Sequence, residues 1–293
     1  MDHVRYWSAA LKLATETREI VTVAVDGMCL RGTHHRSRKK LAPARSERSR
    51  RIGVLFPNSG VMPRTATGDS AVYWADSFAT VGYPSFRFDL AGLGDSDGQA
   101  PSRVLDFLAR VNTGSYAPQI CTIARSLTDR FDLSSVLLVA HCGGTVSAMY
   151  AAAASKEVKG LVLMDPYFHL QEAGGQRSLA GVAENGLPRN ANLPLIDCWN
   201  QLSFSGTPIL VLTAPSFKAK GGGFDFLDYL LSTSDRGNIA VQPIEDTPHS
   251  FAEGPGKEAV RKHIERWLDA WFPLAGSSSA VQNALELSAL GSS

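Results

Sequence analysis

Cys142 is the residue whose surroundings most clearly predict chemistry. It follows an apolar run, Val136–Ala140, and after His141 precedes two glycines, Gly143 and Gly144. A nucleophile between a buried strand and a helix is the layout of the nucleophile elbow, usually G-x-S-x-G, with cysteine here replacing serine. A helix N-terminus also stabilises a thiolate. We therefore expect a covalent nucleophile; the alternative is a cysteine that only packs as a small hydrophobe.

The steric demands of that elbow are met by this sequence. The tight turn brings the positions two before and two after the nucleophile close together, so both must be small. Here they are Ala140 and Gly144, although the first glycine of the usual pattern is replaced.

His249 is the predicted general base. It follows the last predicted strand, Asn238–Pro243, and imidazole can take a proton from a thiol near neutral pH. His141, beside the nucleophile, is assigned a structural or pocket-lining role. Four other histidines lie in terminal, basic-loop or helical contexts that predict surface positions: His3, His34, His35 and His263.

The acid that orients the base is predicted to be Asp165. It ends the predicted strand Gly160–Met164, whereas the segment after the next strand, Pro208–Thr213, begins without a carboxylate. The alternative for Asp165 is a capping or turn role before a proline. Asp225 and Asp228 are the fallback acids, and either would need its loop to fold back toward the base.

Acyl transfer also needs two backbone N–H groups that hold the carbonyl oxygen. Gly143, after the nucleophile, is one predicted donor, and Gly60 or Val61, in the loop after the strand Ile52–Phe56, is the other. Residues predicted to shape the acyl pocket, or alternatively to form the core of a lid, are the following: His141, Tyr167, Phe168, Trp199 and Phe204.

The elements that must position these residues alternate between strand and helix. An opening hairpin is predicted around Asp26 and Gly27, and the alternation after Ile52 predicts a mostly parallel sheet with helices on both faces. The stretch Pro166–Thr207 is too long for a plain connection and is interpreted as a lid. We expect one α/β domain over residues 1–275 and a small polar tail over 276–293.

Composition narrows the function classes. The chain has 293 residues, 44% of them hydrophobic, and a net charge of +1, so nothing in the whole-chain balance predicts a nucleic-acid partner. No apolar run of about 18 residues predicts a membrane span, no secretory leader is recognisable, and the cytoplasm is the default expectation. The four cysteines lack metal-ligand spacing and the glycine runs lack a phosphate-loop lysine, so we expect neither metal nor cofactor.

A local charge signal stands out in the segment Arg36–Arg51. It contains eight Lys or Arg residues and one acid, Glu47, without apolar periodicity. The segment is either a solvated connector or a docking patch for an acidic partner.

A second motif indicates a family. The run Phe86–Gly98 resembles the D-x-x-G-x-G-x-S segment of many α/β-hydrolases, where Asp89 and Asp95 would have structural roles. Together with the elbow and the late histidine, this resemblance to the α/β-hydrolase superfamily covers roughly residues 20–271. It implies the fold: a mostly parallel twisted sheet, helices on both faces and a lid insertion.

The cysteine nucleophile indicates a smaller group of enzymes within this superfamily. The layout is similar to that of stand-alone Dieckmann cyclases, which release tetramic acid or pyridone products from polyketide–peptide assembly lines with a Cys-Asp-His triad; Cys142, Asp165 and His249 match it. The resemblance implies a carrier-protein thioester as substrate and the segment Arg36–Arg51 as its docking site. A hydrolytic cysteine thioesterase or esterase is the alternative, and a non-catalytic binding protein on this fold is a third.

Overall fold

An antiparallel hairpin opens the part of the chain described by the computed structural model, which comprises residues 17–37, 51–58, 62–166, 192–215, 225–234 and 236–274. Strand β1 (Arg18–Val25) pairs with β2 (Met28–His35). Asp26 and Gly27 between them have φ values of 48° and 77°. Two central residues with positive φ are typical of the tight hairpin turn that the sequence predicts.

Several predictions fall outside the described residues. These are Gly60 and Val61, Tyr167 and Phe168, residues 167–191 of the predicted lid, residues 38–50 of the basic segment, and the tail 276–293. Asp225 and Asp228 lie in a described helix, but their side chains are outside the description.

The hairpin joins a sheet whose remaining strands run parallel. The strands that follow it are β3 (Ile52–Pro57), β4 (Ser85–Phe88), β5 (Ser135–His141), β6 (Val158–Met164), β7 (Ile209–Thr213) and β8 (Ile239–Pro243). Their order in the sheet is β1-β2-β4-β3-β5-β6-β7-β8. β2 pairs antiparallel with β4, and from β4 to β8 all neighbours are parallel. The predicted mostly parallel sheet is confirmed.

Helices cover both faces of the sheet, as the sequence predicts. The described α-helices are α1 (Ser70–Val81), α2 (Val104–Asn112), α3 (Ala117–Phe131), α4 (Gly144–Ala154), α5 (Leu193–Phe204), α6 (Asp225–Ser232) and α7 (Gly254–Trp271). α1 and α7 bury their apolar residues on one face, and α2 to α6 do so on the other. No described helix is both long enough and apolar enough to span a bilayer.

β5 shows why this strand can carry the candidate nucleophile. Val136, Leu138 and Ala140 belong to the core on one face, and Leu137 and Val139 to the core on the other. Burial on both faces is what an apolar strand in the middle of a parallel sheet requires. The strand is therefore fixed on both sides, and so is the residue that follows it.

The described end of the predicted lid is a core helix. α5 occupies residues 193–204 of that stretch and packs on α4. Leu195, Trp199 and Leu202 are buried in the main core, and the Trp199 indole N–H donates to the Leu230 carbonyl oxygen at 3.2 Å. The part of this stretch at residues 193–204 therefore belongs to the domain core and not to a lid, because its apolar side chains are buried there.

The surface positions predicted for His34 and His35 are wrong. β2 runs through both residues and pairs with β4 inside the sheet, so both side chains are covered. The His34 ring stacks on Phe86 with centroids 4.6 Å apart. His35 accepts a hydrogen bond from Arg87 Nε at 2.8 Å and contacts Asp76 at 2.6 Å, which fits a neutral ring. Burial lowers the pKa of both imidazoles.

These buried histidines make folding sensitive to acid. Because their pKa values are lowered in the folded protein, the unfolded chain binds more protons below about pH 6.5. Stability is retained above that pH and falls as the pH drops toward the folded-state values, by up to about 1.4 kcal/mol per pH unit for each proton taken up. Urea unfolding between pH 7.5 and 5 measures this slope. A His34→Phe variant, which keeps the aromatic stack, should show a shallower slope; an unchanged slope would contradict this account.

Candidate active site

The turn after β5 holds Cys142 in a backbone conformation that few residues adopt. Its φ is 54°, in the left-handed region, which costs a non-glycine residue about 1–3 kcal/mol. The surrounding structure fixes it: the Cys142 N–H donates to the Met164 carbonyl oxygen at 3.0 Å, and the Thr145 hydroxyl donates to the Cys142 carbonyl oxygen at 2.6 Å. Cys142 remains partly exposed, as a nucleophile must.

The residues around the elbow that the sequence predicts to be small occupy confined positions. Ala140 is buried within the sheet, and Gly144 begins α4. A Cβ added to Gly143 would approach Val111 Cγ1 to 3.1 Å, so a larger residue there would press on α2. The strand-turn-helix geometry predicted for the elbow is therefore present.

Asp165 and His249 are hydrogen-bonded to one another. The carboxylate lies at the end of β6 with no exposed surface and accepts from His249 Nδ1. Its other oxygen accepts the Ala214 N–H at 3.1 Å, and the Asp165 N–H donates to the Leu212 carbonyl oxygen at 2.6 Å. Asp165 is thus fixed by the adjacent strand β7, which leaves one oxygen to orient the imidazole.

The His249 ring also interacts with Cys142. Burial lowers the pKa of His249, but hydrogen bonds with Asp165 and with Cys142 outweigh it and raise the pKa to about 9. The ring is therefore a good acceptor for the thiol proton, and the resulting imidazolium lies between a thiolate and a carboxylate. Stability contributed by this raised pKa is present in full below pH 6.5 and is lost as the pH rises through about 9.

His141 lies beneath the base. Its Nε2 is 2.7 Å from the His249 carbonyl oxygen, and the two ring centroids are 4.8 Å apart. Burial and the neighbouring His249 lower the pKa of His141 to about 4. His141 is therefore neutral near pH 7.

The structure describes Gly143 and the residues that flank the other predicted oxyanion donors. In the elbow, Gly143 stands at the N-terminus of α4, where unpaired N–H groups attract negative charge. Gly60 and Val61 lie outside the described residues, but Asn58 and Met62 on either side of them are joined, since the Asn58 side chain donates to the Met62 carbonyl oxygen at 3.0 Å. The same side chain accepts the Leu90 N–H at 3.2 Å, so Asn58 ties both ends of the loop to the segment after β4.

Asp89 and Asp95 hold the outer side of that loop. Both form ion pairs with the Arg64 guanidinium, and Asp89, which is fully buried, also accepts the Arg64 N–H at 2.6 Å. Gly94 has a φ of 51°, and a Cβ there would collide with the Asp89 carboxylate. This explains the glycine spacing of the motif and supports the structural roles predicted for the two aspartates.

Sequence reasoning missed Asn58, Arg64 and Thr145 as residues that shape the site. Only Asn58 had an available signal, since it follows a buried strand directly and is itself polar. Arg64 and Thr145 act through contacts that no local pattern predicts.

Two narrow clefts flank the elbow. One lies on the α1 face and is lined in part by His141, Arg64, Trp74 and Ser250. The other lies on the α2 face and is lined mainly by apolar residues: Leu90, Leu93, Phe107, Val111, Tyr116 and Ile120, with Gly144 and Ser147. Among the described residues, no group of three or more His, Cys, Asp or Glu side chains is arranged to hold a metal ion.

Of the residues predicted to shape the acyl pocket, the structure places three. His141 lines the cleft on the α1 face. Trp199 is instead a core residue, and Phe204 is 74% exposed at the end of α5. Neither lines a described cleft, because the stretch interpreted as a lid includes a helix that packs into the domain core.

The comparisons with known proteins agree with this architecture. A family model described as alpha/beta hydrolase fold matches residues 56–200, a range that contains Cys142 and Asp165 and ends before His249. Among curated proteins, no sequence match was found.

Solved structures cover most of the chain at low sequence identity. The structure of DcsB in complex with its substrate analogue shares 16% identity, covers 86% of this chain and 98% of its own, and has a TM-score of 0.57. The alpha/beta hydrolase GrgF from Penicillium sp. sh18 shares 16% identity over 87% and 99%, with a TM-score of 0.60. The Pyrococcus furiosus esterase Pf2001 shares 13% over 88% and 95%, with a TM-score of 0.62. The chain has the α/β-hydrolase fold, as the sequence predicts.

The buried acid can be tested against the fallback acids. In Asp165→Asn, the amide oxygen can still accept from Ala214, but its NH₂ group faces His249 Nδ1 and forces the ring proton onto the nitrogen that must receive the thiol proton. We expect alkylation of Cys142 by iodoacetamide at pH 7, followed by peptide mass spectrometry, to slow by about tenfold or more.

Two variants control this measurement. Asp228→Asn should leave the rate unchanged, and Cys142→Ala should lack the labelled peptide. Slow alkylation in Asp228→Asn together with a normal rate in Asp165→Asn would reassign the acid.

Proposed function

We propose that this protein is a covalent acyl-transfer enzyme whose nucleophile is Cys142. One observation carries the proposal: a cysteine in a left-handed elbow lies close enough to His249 to raise the pKa of its imidazole, and His249 is hydrogen-bonded to the buried Asp165. A nucleophile, a base and an orienting acid in this order are the parts needed for transfer through an acyl-enzyme. The esterase among the solved structures of similar fold is in keeping with a hydrolase-type enzyme.

The first half-reaction forms an acyl-cysteine. His249 takes the Cys142 proton, the thiolate attacks the carbonyl carbon of a thioester or ester, and the carbonyl oxygen becomes an oxyanion near the Gly143 N–H. The tetrahedral intermediate collapses, and the leaving thiol or alcohol departs with the proton held by His249. The imidazole is then neutral again.

Acylation changes the base as well as the nucleophile. Part of the raised pKa of His249 comes from its hydrogen bond and charge interaction with Cys142. A thioester sulfur carries no negative charge and accepts hydrogen bonds weakly, so that contribution disappears in the acyl-enzyme. The imidazole then binds a proton less tightly, while Asp165 still orients it, and it is free to deprotonate the acceptor.

The acceptor we propose is a carbon of the same acyl chain. In a β-ketoacyl-aminoacyl group, His249 removes a proton from the carbon between the two carbonyls, and the carbanion attacks the acyl-Cys142 carbonyl. A C–C bond forms, the C–S bond breaks, and the proton on His249 returns to the thiolate. The product is a five-membered tetramic acid-type ring, and this Dieckmann cyclisation consumes no water. It is supported by the cysteine elbow and by the resemblance of the triad to that of the stand-alone Dieckmann cyclases.

Hydrolysis is the second candidate, and one observation favours it. Cys142 is partly exposed, and the His249 side chain is 24% exposed, so water can reach the described part of the site. A water molecule activated by His249 would then release a free acid from the same acyl-enzyme.

Product mass distinguishes the two acceptors. We expect a synthetic β-ketoacyl-aminoacyl N-acetylcysteamine thioester to lose its thiol without gaining water, because the carbanion is intramolecular and held near the acyl carbonyl. Mass spectrometry of the product measures this, and Cys142→Ala should give none of it. A product heavier by one water would establish the hydrolase instead; no acyl-enzyme and no turnover would contradict acyl transfer altogether.

The natural substrate we propose is a thioester on an acidic carrier protein, docked through the segment Arg36–Arg51. The described ends of that segment are engaged within the protein: Arg36 pairs with Glu19, and Arg51 lies 3.4 Å from Asp132. The basic residues between them are the ones to test for docking.

Replacing Arg45, Arg48 and Arg50 by glutamine should raise KM for a carrier-bound substrate about threefold or more, because electrostatic steering is lost. KM for the small N-acetylcysteamine thioester should not change, since that substrate is uncharged at the docking end. Steady-state kinetics with both substrates at low and physiological salt provides the measurement. An equal rise for both would point to a disturbed site and remove the docking proposal.

A further inference from the structure

The loop that carries His249 has little regular structure to hold it. Residues 244–253 belong to neither strand nor helix. Within them, the Phe251 N–H closes a turn on the Pro248 carbonyl oxygen at 3.0 Å, and the fully buried Phe251 ring anchors the chain behind it. Catalytic geometry requires placement to within about 0.5 Å, which such a loop needs further contacts to achieve.

His141 makes one such contact, and its partner is His249 itself. Its Nε2 lies 2.7 Å from the His249 carbonyl oxygen. A carbonyl oxygen only accepts hydrogen bonds, so Nε2 must carry a proton and donate. The His141 ring also packs edge-on against Phe251, with centroids 6.0 Å apart.

The position of His141 in the chain connects His249 to the strand that carries Cys142. It is the last residue of β5 and immediately precedes Cys142, so the strand that fixes the nucleophile also holds the base. One short connection, from Cys142 through His141 to His249, therefore links the elbow to the loop that carries His249.

The charge state of His141 matters as well, because its ring lies next to the ring of His249. Among the described residues, the titratable groups near it are His249, at 4.8 Å between ring centroids, and Arg64, which lines the same cleft. A cation at residue 141 would disfavour the imidazolium that forms on His249. Burial keeps His141 neutral, with a pKa of about 4, so it positions the base without opposing its charge.

We propose that His141 is a positioning residue of the acyl-transfer site, which holds His249 against Cys142 by donating a hydrogen bond to the His249 backbone. The inference rests on the proposed roles of Cys142 and His249. It assigns no contact with substrate to His141.

The test compares two side chains of similar length at this position. His141→Gln retains an N–H donor, whereas His141→Met removes it and keeps an apolar chain of similar size. The readout is the rate of Cys142 alkylation by iodoacetamide between pH 5 and 10, resolved by peptide mass spectrometry because Cys29 and Cys121 are also partly exposed. Thermal unfolding of each variant is recorded in parallel.

We expect His141→Met to move the pH of half-maximal alkylation up by about one unit and to lower the rate at pH 7 about tenfold, because the thiolate loses its imidazolium partner. His141→Gln should stay within about twofold of the wild type at every pH. His34→Phe is the matched control: it also removes a buried histidine, and it should leave the profile unchanged.

Three outcomes would overturn the inference. They are a wild-type profile in His141→Met, an equal shift in both variants, and a shift in His141→Gln if His141→Met does not fold. A wild-type Cys142 that reacts no faster than Cys142 in His249→Ala would instead contradict the proposed function, so the two failures are distinguishable.

Discussion

The hydrogen bond from the Cys142 N–H to the Met164 carbonyl oxygen is the interaction on which the site depends. It joins the ends of β5 and β6 at 3.0 Å and extends their parallel pairing by one step into the elbow. Because Asp165 directly follows Met164, the same hydrogen bond places the backbone of Asp165 beside that of Cys142. Parallel strands end at one edge of the sheet, so neighbours in the sheet can deliver side chains that are far apart in sequence.

The same arrangement of strands provides the partners of a buried carboxylate. Asp165 is fully buried, which would be costly for a carboxylate without partners, and it is compensated by the Ala214 N–H and by the His249 ring. The imidazole in turn lies between that carboxylate and the Cys142 sulfur. These contacts raise the pKa of the His249 imidazole, whereas His141, the one other imidazole that packs on His249 among the described residues, stays neutral.

The sequence predicts the parts of the site that depend on local backbone geometry. An apolar strand followed by a nucleophile and two glycines allows few arrangements, and the elbow is found where it is expected. Asp165 and His249 could be proposed because each follows a strand of an alternating α/β pattern. The contact between them could not be derived from local pattern alone, since it depends on which strands are neighbours in the sheet.

The errors have a common physical origin. His34 and His35 were expected on the surface because they adjoin a basic segment, yet β2 continues through them and the sheet buries both. Trp199 is predicted to line a pocket or to form the core of a lid, yet its helix packs into the core of the domain. In each case tertiary burial overrides a composition signal, and a polar neighbourhood in sequence says little about what covers a residue in space.

Polar side chains at Asn58 and Asp89 fix the backbone on the β3 side of the elbow. Asn58 uses its amide oxygen and its amide N–H on Leu90 and Met62, and Asp89 fixes Arg64 through backbone and side chain. Both anchors reach the segment after β4, so Met62 and Arg64 cannot move away from that segment without breaking these hydrogen bonds. An unpaired buried donor or acceptor costs about 1–3 kcal/mol, which makes such a displacement unfavourable.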